Sequence, residues 1–419
     1  MFKLNVWNNK LFFAICKAPP PSMPKWVNFT IDKAIKYHSF CYDFGPFNLA
    51  DTYRFCVELR NMLASNDSDS ILLYTTGDSR QAANCALLLA AFLLMELDYT
   101  PEDSLRPFTA ISGSLRPFRD ASYSSADFLL SVDDCLHGIA RARRAGLIDF
   151  REGSFDVAAY DHYEDPANAD LHIIVPGKLV AFRGPRDFAE REGQLWADLP
   201  SGERAFHPAH YLPIFRELGV TIVLRLNELS YSTDALVKAG VAVFALPFAD
   251  CTPPPLGAVF RFFQIVDEKA GGGAVAVHCH AGLGRTGTLI ALWLMRSHSF
   301  TAREAIGWLR IVRPGSIIGP QQHYLVSMEP KMVRWGALGP RQRSRLLERG
   351  CAATDGWDES LAAGRNSPAA ASESRSSPAG SDSDAAATAA ALAKGSARRA
   401  AARIRAGAQD ACAETQAAL

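Results

Sequence analysis

The chain has 419 residues, 48% of them apolar, with 44 basic and 44 acidic side chains. That length predicts two to three domains at about 100–200 residues each, and the apolar share excludes a wholly disordered chain. Zero net charge excludes a dedicated nucleic-acid binder, which carries a basic excess.

The N-terminal stretch MFKLNVWNNKLFFAICKAPPP has only a short apolar run and no signal-peptide pattern. The nine cysteines lie scattered from Cys16 to Cys412 without a CxxC pair. That spacing predicts thiols in a reducing compartment, not a disulfide framework or a zinc ribbon. Residues 70–74 read as a strand that leads through TTGDSR into a helix over 81–97. Inside it lies the longest apolar run, 86–95, far short of the ~20 residues that cross a bilayer. A soluble intracellular protein with no membrane segment is expected.

Residues 147–170 are acidic, hold a glycine and a proline, and read as a connection between two α/β halves. Residues 220–224, 241–244 and 274–277 are β-branched runs, each entered from a glycine. Continuous apolar strands followed by helices predict parallel sheets covered on both faces. Strand–loop–helix occurs near 71–97 and again near 274–297, which suggests two related folds. From about Gly339 to Leu419 the chain is mostly Ala, Ser, Gly and Arg, a composition that predicts a tail without a core. Ser367 and Ser377, each before a proline, are candidate phosphorylation sites there. Lys394, Arg398, Arg399, Arg403 and Arg405 make a candidate nuclear-import patch, or simply a solubilising charge.

The chemistry concentrates in AVAVHCHAGLGRTGTLIALWLMRSH, residues 274–298. A buried strand ends at His278, a glycine-rich loop follows, and a helix starts near 285–287. Loop amides at a helix N-terminus converge on an anion, and the helix dipole favours negative charge there. Cys279 opens that loop, and the amides, the dipole and Arg285 favour its nucleophilic thiolate. Arg285 can grip two phosphate oxygens, and Thr286 can hydrogen-bond the sulfur when it leaves. Three other readings compete. Gly282-Leu283-Gly284-Arg285-Thr286-Gly287 matches the dinucleotide fingerprint, but helix runs on into helix where a second acidic strand is needed. His278, Cys279 and His280 as consecutive residues cannot easily converge on one tetrahedral metal ion. Cys279 could also be an inert buried thiol, although the anion-binding loop around it argues otherwise. The general acid belongs on a separate loop at the same sheet edge, where Asp250 follows a strand-like run; a turn-capping aspartate is the alternative.

These residues resemble a known family. H-C-x-A-G-x-G-R-T-G is the signature of cysteine-dependent protein phosphatases. Together with RIVRPGSIIGPQQHYL (310–325), FCYDFGPFNLADTYRFC (40–56), RPFRDAS (116–122), DHYEDPANADLHIIVPGKLVAF (161–182) and VLRLNE (223–228), it resembles the cell-division-cycle-14 dual-specificity phosphatases, the mitotic-exit branch. The resemblance implies an α/β chain of two tandem cysteine-phosphatase-like domains joined by a linker helix, with a disordered C-terminal tail. The expected bounds are 1–150 for the domain lacking the catalytic cysteine, 151–170 for the linker, 171–335 for the catalytic domain and 336–419 for the tail.

Residue by residue, the resemblance implies that Cys279 is the nucleophile, Arg285 the phosphate-binding arginine and Asp250 the general acid. His278 supports the thiolate, and Gln321 lies near the hydrolytic water. His280, Ala281, Gly282, Leu283, Gly284 and Arg285 form the phosphate loop. Asp161, Glu164 and Asp170 match an acidic groove that reads a basic residue downstream of phosphoserine–proline; a solvated linker face is the other reading of these acids. No metal or other cofactor is implied, because Arg285 and the amides supply the charge. The implied partners are phosphoprotein substrates, targets of proline-directed kinases, with no nucleic acid and no membrane. The implied locations are nucleus and cytoplasm, with centrosome, spindle or cilium. A phosphoinositide phosphatase and a catalytically silent binding module are the alternatives. The chain departs from the family at His280, where lysine is usual, and after Asp250, where CTPPPLG replaces a Gly-Ser segment and Leu256 replaces a second aspartate. A lengthened turn at 271–273 is a third departure, easily tolerated.

Overall fold

A computed structural model describes residues 3–151, 154–188, 193–200 and 202–353. The expected phosphorylation sites and basic patch of the tail lie outside the described residues.

The first half is a four-stranded sheet in the order β1 (Leu4–Trp7), β2 (Leu11–Ile15), β4 (Ser70–Thr75), β3 (Trp26–Phe29). Only β1 runs antiparallel to its neighbour. Helices α1 (Leu49–Ser65), α2 (Ser79–Glu96), α3 (Pro101–Leu105) and α4 (Val132–Arg144) complete it. The apolar run 86–95 falls on α2, which buries every residue from Ala82 to Met95. A helix apolar on all sides belongs in a core.

The second half begins after α5 (Val157–Glu164), the expected linker helix. Its five-stranded sheet runs β10 (Ala242–Ala245), β9 (Val220–Arg225), β11 (Ala274–His278), β6 (Leu179–Phe182), β5 (Leu171–Val175). All neighbours are parallel except β5 on β6, so each half carries an antiparallel edge that apolar patterning did not predict. A separate ribbon pairs β7 (Trp196–Asp198) with β8 (Arg204–Phe206). Helices α6 (Leu212–Glu217), α7 (Asp234–Lys238), α8 (Leu256–Gln264), α9 (Gly284–His298), α10 (Ala302–Val312) and α11 (Pro320–Gly336) flank the sheet. At the lengthened turn, Gly271 and Gly272 have φ of 57° and 91°, a left-handed backbone that glycine adopts without a Cβ clash.

The halves share one apolar core that runs from Leu4 to Leu347. Helices α4 and α10 cross where both present glycine. A Cβ on Gly138 would stand 2.6 Å from the Glu304 carbonyl oxygen, and one on Gly307 would stand 3.0 Å from Cys135 Cα. Ion pairs Arg141–Glu304 (3.4 Å) and Arg303–Asp134 (3.3 Å) flank the crossing.

The tail expected from 336 instead begins with a packed helix, α12 (Pro340–Ala352). Leu347 and Cys351 are buried, and Gly350 lies against the Phe260 ring on α8. Composition misjudged this stretch because a few apolar side chains at helical spacing suffice when a neighbouring helix supplies the rest of the surface. No helix among the described residues is long and apolar enough to cross a membrane.

Candidate active site

Strands β9, β10 and β11 are parallel, so the loops that follow them gather on one edge of the sheet, where open α/β sheets bind ligands. The loop after β11 carries Cys279 and feeds α9. Leu283, at the cap position of α9, makes no side-chain capping bond, so the first amides of a 15-residue helix stay available to an anion. The corresponding strand–loop–helix of the first half differs. There Asp78 caps α2, accepting from the amides of Arg80 (2.8 Å) and Gln81 (3.3 Å), while Arg80 Nε donates to its other oxygen at 2.7 Å. Arg80 and these amides hold the Asp78 carboxyl below its ordinary range. A carboxylate of the chain itself occupies that N-terminus, and the loop has no cysteine.

The sequence places Cys279, Arg285 and Asp250 on two loops, and the fold brings them together. Cys279 is buried. Arg285, only 2% exposed, has its Nε 3.1 Å from Asp250 Oδ1, though not aligned as a hydrogen bond. Its Nη1 donates to the carbonyls of Phe248 (2.8 Å) and Leu226 (3.3 Å), which follow β10 and β9. Asp250 keeps a partly exposed side chain and also accepts from the Cys251 amide at 2.9 Å. Cys251 takes a left-handed φ of 58°. Its thiol is pushed up to about 12, first by burial and then by Asp250.

His278 is fully buried between Tyr231 and its own chain. Its Nδ1 lies 2.9 Å from the Cys279 carbonyl oxygen, which only accepts, so Nδ1 carries the proton. Nε2 therefore accepts from the Tyr231 hydroxyl at 2.8 Å. Burial pulls the imidazole down to about 3, with the carbonyl bond opposing, and the ring is neutral. It orients the Cys279 peptide. His280 turns the other way, with Nε2 against Arg186 Nη2, so the two imidazoles do not converge on an ion. Among the described residues no group of three or more His, Cys, Asp or Glu is arranged to hold a metal.

Thr286 is buried, and its Oγ1 has no hydrogen-bond partner. Gln321 is buried against Gly284, accepts from the Ile318 amide and donates to the Thr252 carbonyl, both at 3.2 Å. It ties the aspartate loop to the start of α11. Ala281, Gly282 and Leu283 complete the loop. Gly282 has a φ of 68° and lies against the Phe182 carbonyl, leaving no room for a Cβ.

The acidic groove is only partly assembled. Asp161 pairs with Arg54. Glu164 is buried, accepts from Asn48 Nδ2 at 3.0 and 3.1 Å, and lines a cleft of ≈ 150 Å³ with Lys36, His38 and Asp51. Both acids thus dock the linker helix onto α1. Asp170 does not line that cleft: it is 4% exposed and pairs with Arg313 Nη2 at 3.0 Å. Arg313 in turn donates to the carbonyls of Gly282 (2.8 Å) and Ala281 (2.9 Å). Two charges removed from water persist only as a pair, which is why Asp170 turns inward.

Sequence reasoning named no role for Arg313, Tyr231 or Arg186. Arg313 lies within the quoted RIVRPGS run, and that run was the available signal; for Arg186 no local signal existed.

Residues 5–142 match the family described as "Dual specificity protein phosphatase, N-terminal half", and residues 201–299 match "Polymorphic toxin system, DSP-PTPase phosphatase". The chain is 42% identical over 340 residues to "Dual specificity protein phosphatase CDC14AB" of Danio rerio, covering 80% of this chain and 53% of that one. To "Dual specificity protein phosphatase CDC14A" of Homo sapiens it is 41% identical over 346 residues, covering 81% and 55%. To the human "Dual specificity protein phosphatase CDC14C" it is 38% identical over 344 residues, covering 82% and 74%. The chain belongs to the CDC14 family of dual specificity phosphatases. It spans about half the length of the first two of these relatives.

Proposed function

We propose that the chain is a cysteine-dependent protein phosphatase that hydrolyses phosphoserine, phosphothreonine and phosphotyrosine. The approach of Asp250 to Arg285 at 3.1 Å, beside an uncapped helix N-terminus whose loop opens at Cys279, is the observation that carries this reading. The Cys279 thiolate attacks phosphorus in line while Arg285 and the loop amides hold the phosphoryl oxygens. Asp250 protonates the leaving oxygen, then accepts a proton from the water that hydrolyses the thiophosphate. Thr286, whose buried hydroxyl bonds nothing else, donates to the departing sulfur. Gln321 lies in the segment beside that water.

Family membership further supports phosphoserine followed by proline, with a basic residue downstream, as the preferred substrate. Asp161 and Glu164 are the acids left to read the basic residue. The same membership supports targets of proline-directed kinases, a role in the cell cycle or cilium, and work in nucleus and cytoplasm at centrosome, spindle or cilium. A phosphopeptide panel varying the residue after phosphoserine and the downstream charge tests the reading. Fastest release of phosphate from phosphoserine–proline peptides with a downstream Lys or Arg is expected. Faster hydrolysis of inositol phospholipids than of any peptide, or no hydrolysis of para-nitrophenyl phosphate, would overturn it.

A further inference from the structure

The segment after β6 is fastened along the phosphate loop. The Gly184 amide donates to the His280 carbonyl at 3.0 Å, and Gly184 packs directly on the Cys279 carbonyl with no space for a Cβ. Two residues on, the Arg186 amide donates to the Phe206 carbonyl at 3.0 Å. These anchors bring the half-buried Arg186 guanidinium onto His280 Nε2. For Nε2 to accept, His280 must be neutral, and burial, Arg186 and Arg183 all lower its pKa.

The charged neighbours of this contact are each engaged elsewhere. Arg183 is neutralised by Glu203 at 2.6 Å, both buried. Asp187 accepts from the Ser232 amide at 2.7 Å, and Asp250 lies 3.1 Å from Arg285. Among the described residues no carboxylate stands within 4.0 Å of Arg186. Arg186 instead rests its guanidinium on the neutral imidazole of His280, beside the loop. A guanidinium has five donors and spends one here, so a fork suited to an anionic group remains.

We infer that Arg186, positioned by His280, is a specificity-determining residue that favours substrates with an acidic side chain close to the phosphorylated residue. The inference rests on the phosphopeptide reading of the site. Arg285 and the amides hold the phosphate, and Arg186 offers its charge to a second anion one side chain away. An anionic carboxylate and a second phosphate share that chemistry, and separate peptides distinguish them.

The test measures binding of phosphoserine–proline peptides to the full chain with Cys279→Ser, by fluorescence polarisation at low salt. Each peptide carries a single Glu, or phosphoserine, at one flanking position and is compared with its Gln twin. At least one Glu or phosphoserine peptide is expected to bind about fivefold tighter than its twin, the size of a favourable partly exposed ion pair. Arg186→Gln brings that ratio to one, and Arg186→Glu reverses it in favour of a Lys peptide. Equal binding of all twins, or a ratio that survives Arg186→Gln, overturns the inference. A purely structural role for Arg186 weakens both twins together, which also overturns it. Failure of the phosphatase reading shows separately, as loss of aryl phosphate turnover by the unsubstituted chain.

Discussion

Arg285 and Asp250 stand 3.1 Å apart although they belong to different loops. Arg285 is clamped from the other side by the carbonyls of Phe248 and Leu226. The pair is held in place by strand ends, so the proposed acid and the proposed phosphate-binding cation share one reference frame.

Asp250→Asn removes the proposed general acid but keeps the shape of the loop. On phosphoserine peptides, kcat is expected to fall about 10²–10⁴-fold, the usual share of acid–base catalysis. The loss on para-nitrophenyl phosphate is smaller, because its leaving group needs little protonation. Equal losses on both substrates would remove Asp250 from proton transfer.

Asp170→Asn tests the inward turn of a residue that first read as a groove acid. It strips the carboxylate from buried Arg313, which also holds the Gly282 and Ala281 carbonyls. Stability is expected to fall by about 3 kcal/mol, as for other buried pairs broken at one end. Urea denaturation reads the change. A stable variant that only weakens binding of basic peptides would return Asp170 to the groove.

Gly184 lies outside the signature motif yet packs on the Cys279 carbonyl with no space for a Cβ. Gly184→Ala must therefore displace the Cys279 peptide. A 1 Å misplacement costs about 10²-fold in rate, so a loss of at least that size in kcat/KM is expected. A normal rate would show that the segment yields freely.

His278 is held neutral by burial, its pKa pulled down to about 3 against about 6.5 unfolded. The unfolded chain binds the proton first as pH falls, so stability is lost below about pH 6.5, by about 1.4 kcal/mol per unit. Between pH 7 and 5 this amounts to about 2 kcal/mol from His278 alone. His280 and His298, also lowered by burial, act in the same direction; His137, raised by Asp133 and Glu102 despite burial, opposes them. Denaturation midpoints at the two pH values check this, and His278→Asn should flatten the slope. An unchanged midpoint between pH 7 and 5 would contradict a buried neutral His278.

The site was largely legible because Cys279 through Arg285 are contiguous; the rule that parallel strands send their loops to one edge made Asp250 a candidate, and the family resemblance gave it a role. The β-branched runs of β9, β10 and β11 were equally plain. The strands β1, β5 and β6 were not: β1 and β5 each pair antiparallel with the next strand along the chain, and only β6 finds a distant partner, β11. Arg313 meets Gly282 across 31 positions, and Arg186 meets His280 across 94. Such convergence depends on the packed sheet and leaves no local pattern. Helix α12 escaped notice because its partner, Phe260 on α8, lies far away in the chain.

The central claim is that Cys279 carries the phosphoryl group, and rapid acid quenching during turnover of para-nitrophenyl phosphate tests it most directly. Mass spectrometry of the digested chain should find one phosphoryl group on the peptide that holds Cys279. In Cys279→Ser, both the adduct and the turnover should be lost. Sustained turnover by Cys279→Ser, or turnover in the unsubstituted chain with phosphate found on another residue, would contradict the mechanism.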